Sequence, residues 1–214
     1  MTFGPAISTE INYRLNQARN VQFVVSDQSK PAGTTAVASI TPAAELGKPT
    51  LFGGLTGGNK VEILRPVSAQ FGILIPKIGA NAPVFPNVNA GKRSEYLSVL
   101  KKGVAHAEGT VFPGSVGNIF LFAHSTDAFW NVGRYNAIFY LLKELQNGDE
   151  VDVFYQGRRF AYRVVNKLIV SANEVSWLTR PTNYEQLTLQ TCWPPGTTLK
   201  RLVVLARPEK DLLR

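Results

Sequence analysis

The chain has 214 residues, with 23 Lys and Arg against 15 Asp and Glu, a formal net charge of +8, and one cysteine. A single Cys excludes an intrachain disulfide, and with it a Cys-rich secreted scaffold and a four-thiolate zinc site. The basic pairs Lys92-Arg93, Lys101-Lys102, Arg158-Arg159 and Lys200-Arg201 are scattered. No clustered basic face for nucleic acid is therefore expected, although the charge suits an anionic membrane or cell-wall polymer.

Hydrophobic residues make up 44% of the chain, enough for an ordinary core. The length fits one large domain, or one domain with an appendage. The 18 Gly and 13 Pro predict many turns and short strands rather than a helical bundle. No segment approaches the roughly 20 apolar residues of a membrane-crossing helix. No signal-peptide apolar region follows Met1, so a soluble chain is expected.

Taken in order, residues 12–20 predict a short polar helix. Residues 29–50 (SKPAGTTAVASITPAAELGKPT) read as a linker or extended surface segment. The Gly53-Gly54 and Gly57-Gly58 pairs continue the loop signal, and no Gly-Lys-Ser/Thr follows to make a phosphate loop. Residues 71–78 (FGILIPKI) are β-rich, with Pro76 marking an edge or bulge. Residues 119–123 (IFLFA) are a continuous apolar run, as in a buried strand. Residues 136–145 place Ile138, Leu141, Leu142 and Leu145 at helical spacing, with Asn147-Gly148 as the stop. Residues 151–155 and 159–165 alternate on either side of Gln156-Gly157 and predict a hairpin. Two more strands follow at 187–192 and 202–206, with Pro194-Pro195-Gly196 between them. Many short strands without regular βαβ alternation predict a mainly β fold, a closed or nearly closed antiparallel-rich barrel. The expected division is residues 1–60 as a helical or extended appendage and 61–214 as the barrel domain.

Thiol chemistry needs a thiolate, a base or cationic partner, and a donor for the developing oxyanion. Cys192 and His124 both end β-rich runs, where a core strand reaches the rim. That combination gives rigid support and exposure. Arg201 opens the last strand and could return a fixed fork of donors beside Cys192. On residue pattern alone a lone Cys is more often a core residue and a lone His more often structural. His106 is the other candidate base.

The string Thr188-Leu189-Gln190-Thr191-Cys192 matches the TLxTC signature of the sortases, cysteine transpeptidases of the Gram-positive type. In family order, residues 71–84 resemble the early strand pair and 103–125 the segment leading to the catalytic His. Residues 142–164 resemble the helix and hairpin that follow. The resemblance spans roughly residues 66–208. The stretch around His124 reads Phe-Ala-His-Ser where many sortases have Gly-His-Arg, and Trp193-Pro194-Pro195 is an uncommon continuation after the Cys.

The resemblance implies a closed barrel of about eight strands with one or two short helices. It implies a catalytic set of His124, Cys192 and Arg201, with Thr191, Trp193 and Leu189 binding substrate. In the alignment His106 precedes a Gly-Thr and is not the catalytic position. The substrate implied is an LPxTG-like sorting signal on a secreted protein. The acceptor is an amine, on a cell-wall precursor or a pilin lysine. Neither an organic cofactor nor a metal is implied. Some relatives use calcium, but no dense Asp/Glu cluster here predicts such a site. The implied location is the outer face of the cell membrane, reached through an anchor outside this chain. The competing expectations are another cysteine peptidase, or a non-catalytic barrel that binds anionic wall polymer.

Overall fold

Runs rich in Val, Ile, Leu and Phe become strands that wrap into one closed sheet. In the computed structural model, residues 5–19, 21–25, 61–125 and 138–212 are described. The segment 29–50 and the glycine pairs at 53–54 and 57–58 lie outside them. The barrel strands are β3 (Phe71–Ile75), β4 (Ala80–Val88), β5 (Val104–Ala107), β6 (Gly117–Phe122), β7 (Glu150–Tyr155), β8 (Arg158–Ser171), β9 (Glu185–Trp193) and β10 (Lys200–Pro208). They close in the order β10-β8-β7-β3-β4-β5-β6-β9. Closure leaves no unpaired sheet edge in the barrel. The pairs β4–β5 and β6–β9 are parallel and the rest antiparallel.

The core fills the barrel with alternate side chains of these strands. On β9, Leu187 and Leu189 point inward, and on β10 Leu202, Val204 and Ala206 do so. On β6 the inward set is Ile119 and Leu121, all fully buried. The β7–β8 hairpin turns as expected at Gln156-Gly157. Both residues have positive φ, 50° and 75°, as a tight hairpin turn requires.

Three local expectations need correction. Helix α1 runs Pro5–Ala18, longer and earlier than residues 12–20. Proline suits the first helical position, because its missing N–H would be unbonded there anyway. The strand in 71–78 stops at Ile75, and Pro76 opens the 3₁₀ turn Pro76–Ile78 rather than marking an edge or bulge. Within 136–145 the described part is a 3₁₀ turn, Tyr140–Glu144, not an α-helix. Leu141, Leu142 and Leu145 are all buried there, and Lys167 Nζ donates to the carbonyls of Lys143 and Leu145. The chain leaves the turn at this capped end. Gly148, with φ 91°, serves the entry into β7 instead.

Among the described residues there are four α-helices: α1 in the N-terminal appendage, and the short α2 (Arg93–Leu100), α3 (Ser176–Thr179) and α4 (Glu209–Leu212) on the barrel. None of the described helices is long and apolar enough to cross a membrane. Helix α1 packs on the barrel through buried Tyr13 and through Glu10 and Arg14, which pair with Lys143 and Glu144. Strands β1 (Gln22–Val25) and β2 (Val61–Leu64) form a two-stranded parallel sheet. Val25 and Leu64 pack against Leu74 and Phe154 on the outer wall.

At the opposite end of β9 from Cys192, buried Glu185 accepts from the Gly114 N–H (2.7 Å) and the Tyr162 hydroxyl (2.6 Å). Both donors meet one carboxylate oxygen, which ties β8 and the β5–β6 loop to β9. Tyr162→Phe removes a buried charge-assisted bond. The expected loss is about 2 kcal/mol of unfolding free energy, read by denaturant titration.

Candidate active site

Parallel strands that lie side by side end at the same rim. Strand β6 runs parallel to β9 with Phe122 opposite Gln190. The Ala123 N–H donates to the Gln190 carbonyl at 3.2 Å, the last backbone bond of that pairing. His124 and Cys192 each stand two residues beyond the Phe122–Gln190 pair. On the other flank of β9, Arg201 of β10 pairs directly with Cys192. Neighbouring strands lie roughly 5 Å apart, so Arg201 stands beside Cys192, and β6 ends two residues before His124.

Alternation decides which face they occupy. Asn118, Phe120 and Phe122 lie on the outer face of β6, opposite Ile119 and Leu121, and the strand ends two residues before His124. Gln190 and Cys192 share that face on β9, and Arg201 shares it on β10. His124 and Cys192 are half-buried. The His124 carbonyl accepts from the Phe139 N–H at 3.4 Å, which ties the end of the histidine segment to the turn after it. Next to it, Ser125 is buried, and its hydroxyl has no hydrogen-bond partner. The Arg201 Nη1 donates to the carbonyls of Thr198 (3.1 Å) and Lys200 (3.0 Å). The guanidinium thus folds over the β9–β10 loop at the level of the thiol. That loop is closed by Thr197, whose N–H and hydroxyl both donate to the Pro194 carbonyl (3.0 and 2.8 Å).

Two of the residues expected to bind substrate face the other way. Leu189 is fully buried inside the barrel, because odd-numbered residues of β9 point inward. Thr191 is inward too, 3% exposed, and its hydroxyl donates to the Ala123 carbonyl at 2.9 Å. Its place is behind the site, joining the histidine segment to the cysteine strand. Trp193 is half-buried and packs on the core at the rim.

His106 sits opposite Leu121 and shares its inward face. It is fully buried and stacks on Phe112, with centroids 4.6 Å apart. Its Nδ1 accepts from the Asn87 N–H at 3.3 Å, where a bulge frees that donor. That bond leaves the proton on Nε2, which donates to the Val111 carbonyl at 3.1 Å. Burial holds its pKa below the ordinary 6.5, only partly offset by the Val111 bond. His106 is thus a satisfied, neutral core histidine.

Asn118 and Gln186, which the motif reading did not single out, meet Thr188 of the signature on the outer face. Asn118, Gln186 and Thr188 form a buried polar cluster under α3. Their signal was polar side chains at alternate positions of otherwise apolar strands. Among the described residues no three His, Cys, Asp or Glu side chains converge as a metal site.

A closed barrel that pairs a strand-end Cys with an Arg, and has a His two residues past the strand parallel to the Cys strand, carries the residue types that cysteine acyl transfer needs. The family model for the Sortase domain matches residues 73–209. Sortase D of Bacillus subtilis (strain 168) is 29% identical over 153 residues, covering 70% of this chain and 69% of that protein. Sortase C-1 from Actinomyces oris superposes with a TM-score of 0.55 at 26% identity, over 66% of this chain and 75% of that one. Sortase C from Clostridium perfringens, solved with its C-terminal cell wall sorting motif, gives a TM-score of 0.52 at 28% identity, over 64% and 68%. The chain belongs to the sortase family, a family of transpeptidases.

The His106 assignment has a pH consequence. A lowered folded pKa contributes stability that is complete above pH 6.5 and lost as the pH falls. His106→Gln keeps a donor and an acceptor without the titration. Between about pH 7 and pH 5 its melting temperature should fall less than that of the wild type. Parallel melting curves would contradict the assignment.

Proposed function

We propose that this chain cleaves an LPxTG-like sorting signal through a thioacyl enzyme on Cys192 and transfers the acyl group to an amine. The reading is supported by the pairing of Arg201 with Cys192 and by the parallel β6–β9 register, whose last pair stands two residues before both His124 and Cys192. A peptide lying on the outer face reaches the thiol without entering the core.

In the first step the Cys192 sulfur adds to the scissile carbonyl, and the carbon–nitrogen bond breaks. His124 gives a proton to the departing amine. In the second step an incoming amine attacks the thioester, His124 takes its proton, and the thiolate leaves. Arg201 offers planar donors to the peptide and to the oxyanion of both tetrahedral intermediates. A thioester preserves acyl-transfer potential until an amine arrives. Water in place of the amine gives hydrolysis as a side reaction.

In this reading residues 61–214 are the catalytic domain and 1–60 the appendage that leads toward a membrane anchor outside this chain. The site faces the cell exterior, where secreted proteins carry sorting signals. The acceptor is a cell-wall precursor or a pilin lysine. The loop from 171 to 186 carries peptide preference. Trp193, half-buried at the rim beside Cys192, borders the substrate.

Cys192→Ala should lower turnover of a fluorogenic sorting peptide by more than about a thousandfold with an unchanged melting temperature. Turnover at the wild-type rate would overturn the proposal. Arg201→Lys should lower kcat/KM about a hundredfold, since a point charge cannot replace the planar fork. Wild-type kinetics for that variant would remove Arg201 from the mechanism.

A further inference from the structure

The connection from β8 to β9 lies against the outer face of β6, and α3 is its one helical turn. Four residues cannot hold a helix by themselves, because nucleation is unfavourable. The residue before it, Val175, makes no side-chain capping bond. Local help comes from Glu174, whose carboxylate accepts from the Ser176 N–H and hydroxyl. The link to the barrel is Asn118, whose Nδ2 donates to the Trp177 carbonyl at 2.8 Å.

The geometry of this amide is determined by its neighbours. Asn118 is 7% exposed. Its Oδ1 accepts from the Thr188 hydroxyl at 2.6 Å and from Gln186 Nε2 at 3.4 Å. Gln186 Nε2 also donates to the Thr188 hydroxyl oxygen at 3.2 Å, and its Oε1 accepts from the Tyr184 hydroxyl at 3.5 Å. The Trp177 carbonyl only accepts, so the side of the Asn118 amide that meets it must be the NH₂. One residue of β6 therefore bonds both β9 and the loop. Trp177 packs against the core, and Arg180 sits over its ring at 5.1 Å.

Asn118 lies in β6, six residues ahead of His124, which follows the end of that strand. At about 3.3 Å per residue that is roughly 20 Å, the reach of an extended peptide of about six residues. On the same face Tyr96 of α2 meets Phe122 edge-on, with centroids 6.0 Å apart. The outer face thus runs from a loop pinned at Asn118, past α2, to the thiol.

We propose that Asn118 is a positioning residue: its amide pins the β8–β9 loop as the far wall of the peptide track that ends at Cys192. It tunes peptide recognition without touching the reacting atoms. This rests on the reading that the β6–β9 face takes a sorting peptide.

Two variants separate loop pinning from strand pairing. Asn118→Ala removes the bond to the Trp177 carbonyl. Thr188→Val removes the hydroxyl bond between β6 and β9 but leaves Asn118 Nδ2 on the loop. Asn118→Ala should raise KM for the sorting peptide about tenfold with kcat within about twofold, the scale of one buried hydrogen bond. Amide hydrogen exchange across residues 172–184 should accelerate about tenfold or more. Alkylation of Cys192 by iodoacetamide should keep its wild-type rate. Thr188→Val should lower the melting temperature yet keep the wild-type KM and loop exchange. If Asn118→Ala fails to fold, the isosteric Asn118→Asp carries the same test, because an ionised carboxylate cannot donate to Trp177. Unchanged loop exchange and KM in the Asn118 variant would overturn the proposal. So would the same changes in both variants, which would mark a general structural role. A wild type that turns over no sorting peptide would contradict the sortase reading instead, while loop exchange in Asn118→Ala still tests the pinning.

Discussion

The parallel pairing of β6 with β9 is the constraint on which the site depends. Antiparallel neighbours would send their C-terminal ends to opposite rims. Parallel neighbours send them to the same rim, and here those ends are His124 and Cys192. Such a pair needs a long crossover. The chain supplies it with the β7–β8 hairpin, which also provides two staves of the barrel. The bond from Thr191 to the Ala123 carbonyl holds the two rim segments together where the ladder ends. Strand β10 then returns antiparallel and sets Arg201 opposite the thiol. Sheet register thus sets Arg201 beside Cys192 and ends β6 just before His124.

The two faces of the β6–β9 pair divide the work. The inner face is apolar and packs the barrel with Ile119, Leu121, Leu187 and Leu189. The outer face carries a buried polar cluster at one end and the Cys192–Arg201 pair at the other. Buried polar groups are costly unless satisfied, and the amide of Asn118 is satisfied on both sides. Such a cluster fixes the loop above it in one arrangement, which an apolar floor would not. The two histidines differ as well. His106 lies inward with Leu121, desolvated and neutral, while His124 is half-buried just past the end of β6.

Much of this was legible in the residues. The β-branched and aromatic runs marked the strands, and Gln156-Gly157 marked the hairpin. The single Cys at a strand end, with a His and an Arg in order around it, pointed to the candidate site. What the pattern missed was set by tertiary contact. Leu189 reads as part of the signature around the thiol, yet its odd position in β9 turns it into the core. The 3₁₀ turn Tyr140–Glu144 has helical spacing, but Lys167 reaches across from β8 to cap its carbonyls and end it. Helix α1 shows little apolar periodicity, because it is held through Tyr13 and ion pairs to Lys143 and Glu144 rather than by a broad apolar stripe. The role of Asn118 needs three elements that meet only after folding.

The most direct test of the account is mass spectrometry of the intact protein after incubation with sorting peptides and no amine acceptor. The account predicts an added mass equal to the acyl fragment, mapped to Cys192 and discharged when an amine is supplied. Peptide cleavage with no adduct on Cys192, or an adduct at another residue, would contradict it.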